Sequence, residues 1–163
     1  MLLIFKNVVF TILVPGTVAV YLPVYVIAHA PAAISATAVL GVLALLTGGA
    51  IYVWCIWDFA IVGRATPAPI DPPKELVTRG LYKYSRNPMY VGVLCVIGGW
   101  AVVFRSAAIG VYMLCIATVF HLFVILYEEP HLKKVFGPSY EQYRYEVRRW
   151  LPFTKHRRAD IRG

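Results

Sequence analysis

The sequence predicts an all-α integral membrane protein: about four transmembrane helices, a tight hairpin between the last two, and a cytosolic helical segment at the C-terminal end. Three observations carry this. First, 60% of the 163 residues are hydrophobic and 15% are charged, whereas soluble domains carry roughly 25% charged residues; mean hydropathy is +0.67. Second, several apolar runs approach the ~20 residues needed to cross a bilayer core. Third, the basic residues are grouped. Of sixteen Lys and Arg, five lie between Arg64 and Arg86 and nine between Lys133 and Arg162, with Lys6 and Arg105 elsewhere.

The length suits one domain, residues 1–163. The first span is read at 8–28, a retained helix rather than a cleaved signal, with Pro15 and Pro23 inside it. Membrane helices tolerate such prolines when neighbours satisfy the freed carbonyls. His29-Ala30-Pro31 reads as a turn. The second span, 34–62, exceeds the minimum length and is expected to tilt or protrude. Gly41, Gly48 and Gly49 lie along it as close-packing positions, and Trp54 and Trp57 suit an interfacial belt. Asp58 is its one acid, either a ligand contact or a partner to a loop arginine.

The connection from Arg64 to Ser85 contains TPAPIDPPKEL, whose prolines rule out a continuing helix. Asn87 followed by Pro88 then forms a helix-start signal. The third span is read at 88–104 and the fourth at 107–127, so only Arg105 and Ser106 turn the hairpin; Gly92, Gly98 and Gly99 would allow close approach there. Four spans place both termini and the Arg64–Arg86 connection on one face. That face holds fifteen of the sixteen basic residues, which the positive-inside rule assigns to the cytoplasm. The third helix starts at this face and the fourth ends there, so Arg86, Asn87 and Tyr90 are expected beside Glu128 and Glu129. The segment 128–163 is cytosolic: a short helix to Phe136, a stop at Gly137, and a second helix from Pro138 with Tyr140, Tyr143 and Val147 on one face. A basic tail follows.

Several functions are excluded or demoted. The charge is not accompanied by a nucleic-acid recognition motif. Cys55, Cys95 and Cys115 fall in apolar runs without metal-ligand spacing and read as small buried hydrophobes. No metal site is expected. What remains is a boundary site with a helix start and Arg86, suited to a carboxylate or phosphate. It also has an acid pair suited to an ammonium or sulfonium, and tyrosines suited to an adenine or a cation. S-adenosylmethionine carries all of these groups; a phosphoethanolamine headgroup shares part of them.

The pattern GLYKYSRNPMYVG, followed after one hairpin by EEPHLKKVFGPSYEQYRYEVRRWLP, resembles the isoprenylcysteine carboxyl methyltransferase and phospholipid methyltransferase superfamily of integral membrane enzymes. The likeness covers about Leu76 to Pro152. It implies S-adenosylmethionine bound at the cytosolic face, and a lipophilic acceptor arriving from the membrane. Arg86, Pro88 and Tyr90 match the first motif, Glu128 and Glu129 the acid pair, and Tyr140, Tyr143 and Pro152 the tail. Together with the chemistry of the boundary site, this makes Arg86, Glu129 and Arg149 the expected catalytic residues, with Glu128 or Glu129 holding the cofactor's amino group and Arg86 or Arg149 a carboxylate of cofactor or substrate. Tyr82, Arg86, Asn87, Pro88, Tyr90, Glu128, Glu129, Tyr140 and Tyr143 are the residues expected at the cofactor. Asn87 stands where prenylcysteine enzymes usually have His, and Arg148 follows Val147 where they often have Pro.

Other readings stand beside this one. Glu128 and Glu129 could cap the membrane boundary and pair with Lys133 or Lys134, and Arg86 could contact headgroups. His121, seven residues before Glu128, either lines an acceptor path or is a hydrogen-bonded histidine between helices. The Tyr140–Tyr143 stripe is either packing or cofactor stacking. A small dimeric four-helix transporter would couple through Glu128 or Asp58, and a sterol-reductase-like enzyme would use a nicotinamide cofactor. The expected partners are a lipophilic or lipid substrate and membrane lipids, with a homodimer left open.

Overall fold

The computed structural model describes residues 13–29, 34, 36–63 and 75–150. Every regular element among them is helical. The proline-rich stretch before Glu75, the start of the first span, the turn at Pro31, Pro152 and the basic tail lie outside the described residues.

Helix α1, Thr17–His29, opens with a π-helical turn at Thr17–Tyr21. Pro23 within it has no N–H to offer the carbonyl of Ala19, one turn earlier. That carbonyl instead accepts from the Trp100 indole at 3.1 Å, and the neighbouring Val18 carbonyl accepts from the Tyr112 hydroxyl at 2.9 Å. Side chains from two other helices thereby satisfy backbone that the proline and the π turn leave open, as membrane helices require.

Helix α2, Ala38–Asp58, continues through a π turn at Phe59–Gly63. Helix α3 is Pro88–Val103 and α4 is Ala107–Phe123. A π turn at Val124–Glu128 links α4 without a break to α5, Glu129–Phe136. Gly137, at φ +51°, ends α5 in a backbone conformation that favours glycine, and Pro138 starts α6, Pro138–Glu146. These two boundaries fall where the sequence places them.

Two of these helices are long and apolar enough to cross a membrane, Ala38–Ile61 and Ala107–Phe136, and only 17% and 11% of their most apolar stretches are buried. A soluble protein's core helix would be mostly covered. Here Val39, Leu40, Leu43 and Leu46 of α2 and Val111 and Leu114 of α4 are exposed, an apolar surface suited to lipid. The core lies between α1, α3 and α4, around Ala19, Val93, Ile97 and Ile109.

The glycines pack differently from expectation. Gly92 and Gly99 of α3 face α2 rather than α4: a Cβ on Gly48 would lie 2.6 Å from the Gly92 carbonyl oxygen, and one on Gly41 2.8 Å from that of Gly99. The closest backbone contact is therefore between α2 and α3. Gly98 does face α4, against Met113, while Gly49 has open space around it. The link between α3 and α4 turns at Arg105, φ +48°, and Ser106 caps α4 by accepting from the Ile109 N–H.

Candidate active site

The first turn of α3 and the α4–α5 junction lie at the same end of the molecule, and the two sequence blocks meet there. Pro88 takes the first helical position and Asn87 the cap position. The expected cap is not made by the Asn87 side chain. Its amide Nδ2 donates instead to the Arg149 carbonyl at 3.1 Å, and the Ser85 hydroxyl donates to the same oxygen at 3.1 Å. The Asn87 N–H donates to Ser85 Oγ, and the Arg86 N–H donates to the Arg148 carbonyl at 2.9 Å. A buried helix end needs partners, and the chain beyond α6 supplies them.

The acid pair sits on this platform. The π turn ends at Glu128, directly before Glu129; such a turn inserts a residue and rotates everything after it, and is frequent at functional sites. Glu129, 8% exposed, accepts two bonds from the Arg149 guanidinium at 2.7 and 3.0 Å. It also pairs with Arg86 Nη2 at 3.1 Å and reaches Arg144 at 4.0 Å. Glu128 has a different environment: the Tyr90 hydroxyl donates to it at 2.9 Å, and the Tyr90 ring rests on Phe120 with centroids 4.6 Å apart. One carboxylate is thus held among guanidinium groups and its neighbour against a phenol.

Helix α6 closes the site from outside. Tyr140, Tyr143 and Val147 are buried together with Leu76, Leu132 and Phe136, so the aromatic face packs inward. Arg86 Nη1 donates to the Tyr140 hydroxyl at 3.4 Å, and the Tyr143 hydroxyl donates to the Tyr82 carbonyl at 2.8 Å. Burial pushes both phenols above their ordinary pKa, which keeps them protonated at neutral pH. The hydrogen bond to Glu129 holds Arg149 above the ordinary guanidinium value. Arg86, Asn87, Glu128, Glu129, Tyr140 and Tyr143 line a small cavity of about 20 Å³ with Val124 and Leu132. That volume holds one water and no nucleoside.

The phospholipid methyltransferase family profile matches residues 36–139. The chain belongs to the phospholipid methyltransferase family. No curated protein and no solved structure matches it. This family sits in the integral membrane methyltransferase superfamily that the two sequence blocks resemble, so the protein is a membrane methyltransferase. The matched residues include the whole of the first motif block and the start of the second, Glu128 to Ser139, and stop before Tyr140, Tyr143 and Arg149.

The structure gathers most of the residues singled out in the sequence. Arg86, Asn87, Glu128, Glu129, Tyr140 and Tyr143 line one cavity, Tyr90 bonds to Glu128 and Arg149 to Glu129. Tyr82 and Pro88 are not brought to the cavity. The Tyr82 ring packs with Cys55 and Val77 beside α2, and Pro88 is buried as the first residue of α3. Lys133 pairs with Glu141 at 2.7 Å rather than with the acid pair. Asp58 is the partner of Arg79, at 2.9 Å. His121 accepts a hydrogen bond from the Trp150 indole at 3.2 Å, a partner from the C-terminal segment rather than from another helix.

Two residues escaped the sequence reading. Ser85 bridges Asn87 and Arg149, and Arg144 stands at the edge of the guanidinium cluster. Ser85 was visible within SRNP, where a small hydroxyl before a helix start can serve backbone groups. Arg144 had no signal beyond its charge.

Proposed function

We propose that the protein transfers a methyl group from S-adenosylmethionine to a membrane-partitioned lipid acceptor, at a site on the cytoplasmic face of a four-span bundle. The observation that carries this reading is the 3.1 Å pair between Arg86 and Glu129, which joins the two sequence blocks inside a family of phospholipid methyltransferases. The clustering of basic residues supports a cytoplasmic face, with both termini on that side.

The donor set fits the charged end of such a cofactor. Glu128 and Glu129 offer carboxylates for its ammonium and sulfonium; the Arg86 guanidinium, Ser85 Oγ, the Asn87 amide and the Arg86 N–H offer donors for its carboxylate. When bound, the cofactor supplies an electrophilic methyl group on sulfur. The chain's own contribution is alignment and exclusion of water. An amine acceptor must lose one proton, and the Glu128 carboxylate, which accepts from the Tyr90 hydroxyl, is the base placed to take it. The family favours a phospholipid amine over a prenylcysteine carboxylate, in line with Asn87 replacing the usual His.

Calorimetric titration of the detergent-purified protein with S-adenosylmethionine, S-adenosylhomocysteine and NADPH tests the reading. Saturable binding of the first two and none of NADPH is expected. Binding of NADPH alone would assign the protein to the reductase class, and silence with all three would remove the proposal.

A further inference from the structure

The groups best suited to hold the methyl donor's amino-acid end are already engaged by two residues of the same chain, Arg148 and Arg149. The Arg148 carbonyl takes the Arg86 N–H, and the Arg149 carbonyl takes the Ser85 hydroxyl and the Asn87 amide. The Arg149 guanidinium covers both oxygens of Glu129. An acceptor thus sits where a carboxylate would go, and a cation where an ammonium would go. The space left over, about 20 Å³, is an order of magnitude below the roughly 300 Å³ at which small-molecule pockets begin. Arg86 Nε is buried with no hydrogen-bond partner among the described residues, a donor the closed arrangement does not serve.

We propose that Val147–Trp150 is a displaceable strap: it fills the site in the ligand-free protein, and donor binding replaces Arg149 on Glu129 and frees the Ser85–Asn87 donors. This rests on the methyl-donor reading above and adds a conformational step to it.

The construction suits a part that opens. Val147 is extended, φ −116° and ψ +133°, and anchored among Tyr140 and Tyr143, which provides a fixed end. Beyond it the strap is held by polar bonds that a zwitterionic ligand can replace nearly one for one. Trp150 adds a single hook, its indole on His121 at an exposed position. Because the strap competes intramolecularly, the apparent dissociation constant exceeds the intrinsic one by the inverse of the open fraction.

The test is calorimetric titration with S-adenosylhomocysteine of the wild type, Arg149→Ala and Arg149→Lys, with tryptophan emission followed in the wild type and Trp150→Phe. The strap predicts about tenfold tighter binding by R149A, an intermediate value for R149K, and a ligand-induced emission change lost in W150F. Equal or weaker binding by R149A, with wild-type binding intact, overturns the strap and leaves the methyl-donor reading standing. A saturated wild type whose Trp150 emission does not change also overturns it, even where R149A fails to fold. If no protein binds, the methyl-donor reading falls and the strap falls with it.

Discussion

Replacing Glu129 by Gln should be the most damaging isosteric change in the described structure. The carboxylate is buried and faces Arg86, whose own side chain is 9% exposed. Removing one partner of a buried ion pair costs about 3–5 kcal/mol, because the remaining charge is left without compensation. Arg144 has a side chain 43% exposed and 4.0 Å away, so water screens it and its share is small; Arg149, 26% exposed, can keep one of its two bonds by donating to the amide oxygen of the glutamine. The total therefore falls near the lower end, about 3 kcal/mol. Glu128→Gln is the matched control. Its amide oxygen can still accept from Tyr90, so the loss should stay within about 1 kcal/mol. At about 2–4 °C per kcal/mol for a chain of this size, thermal unfolding in detergent should drop by roughly 6–12 °C for E129Q and by no more than about 4 °C for E128Q. Equal midpoints for the two variants would refute the view that Glu129 is the charge around which the guanidinium cluster is built.

Further outcomes follow from the packing. Gly48→Ala puts a methyl against the Gly92 carbonyl and the Cys95 and Val96 side chains, and should cost about 1–3 kcal/mol by overpacking. Gly49→Ala meets open space and should be neutral or gain up to about 1 kcal/mol; thermal shifts of the pair check this. Gly80→Ala must hold an alanine at φ +56° and set its Cβ onto the Asp58 carboxylate. It should lose at least about 2 kcal/mol and raise proteolysis of the segment around Arg79. Tyr143→Phe leaves the Tyr82 carbonyl without its donor, and chemical unfolding should show a loss of about 1–2 kcal/mol.

Local signals carried much of this structure. Gly137 with Pro138 marked the α5–α6 break, Asn87 with Pro88 the start of α3, and uninterrupted apolar runs the long helices. The meeting of Arg86 with Glu129 also followed from topology, since one helix begins where the other ends. Side-chain choices made at long range were not readable. Asn87 has the right type to cap its own helix, yet the Arg149 carbonyl, 62 residues away, competes successfully for the amide. Gly92 and Gly99 advertise close approach without naming the partner helix, and α2 takes them because Gly41 and Gly48 offer matching gaps. The π turn before Glu129 leaves no mark in an apolar sequence, since an extra residue in a helix changes phase and not composition. Arg149 reads only as a charge in a basic segment; its place on Glu129 depends on the path of the chain after α6.

The central claim is that the acid pair and the SRNP block together receive the charged end of a methyl donor. Titration of folded Glu128→Gln with S-adenosylhomocysteine, beside the wild type, tests it most directly. Loss of a charged hydrogen bond of about 1.5–3 kcal/mol corresponds to roughly 10- to 100-fold weaker binding, with the unfolding midpoint nearly unchanged. Wild-type affinity in E128Q would place the donor elsewhere and contradict the account.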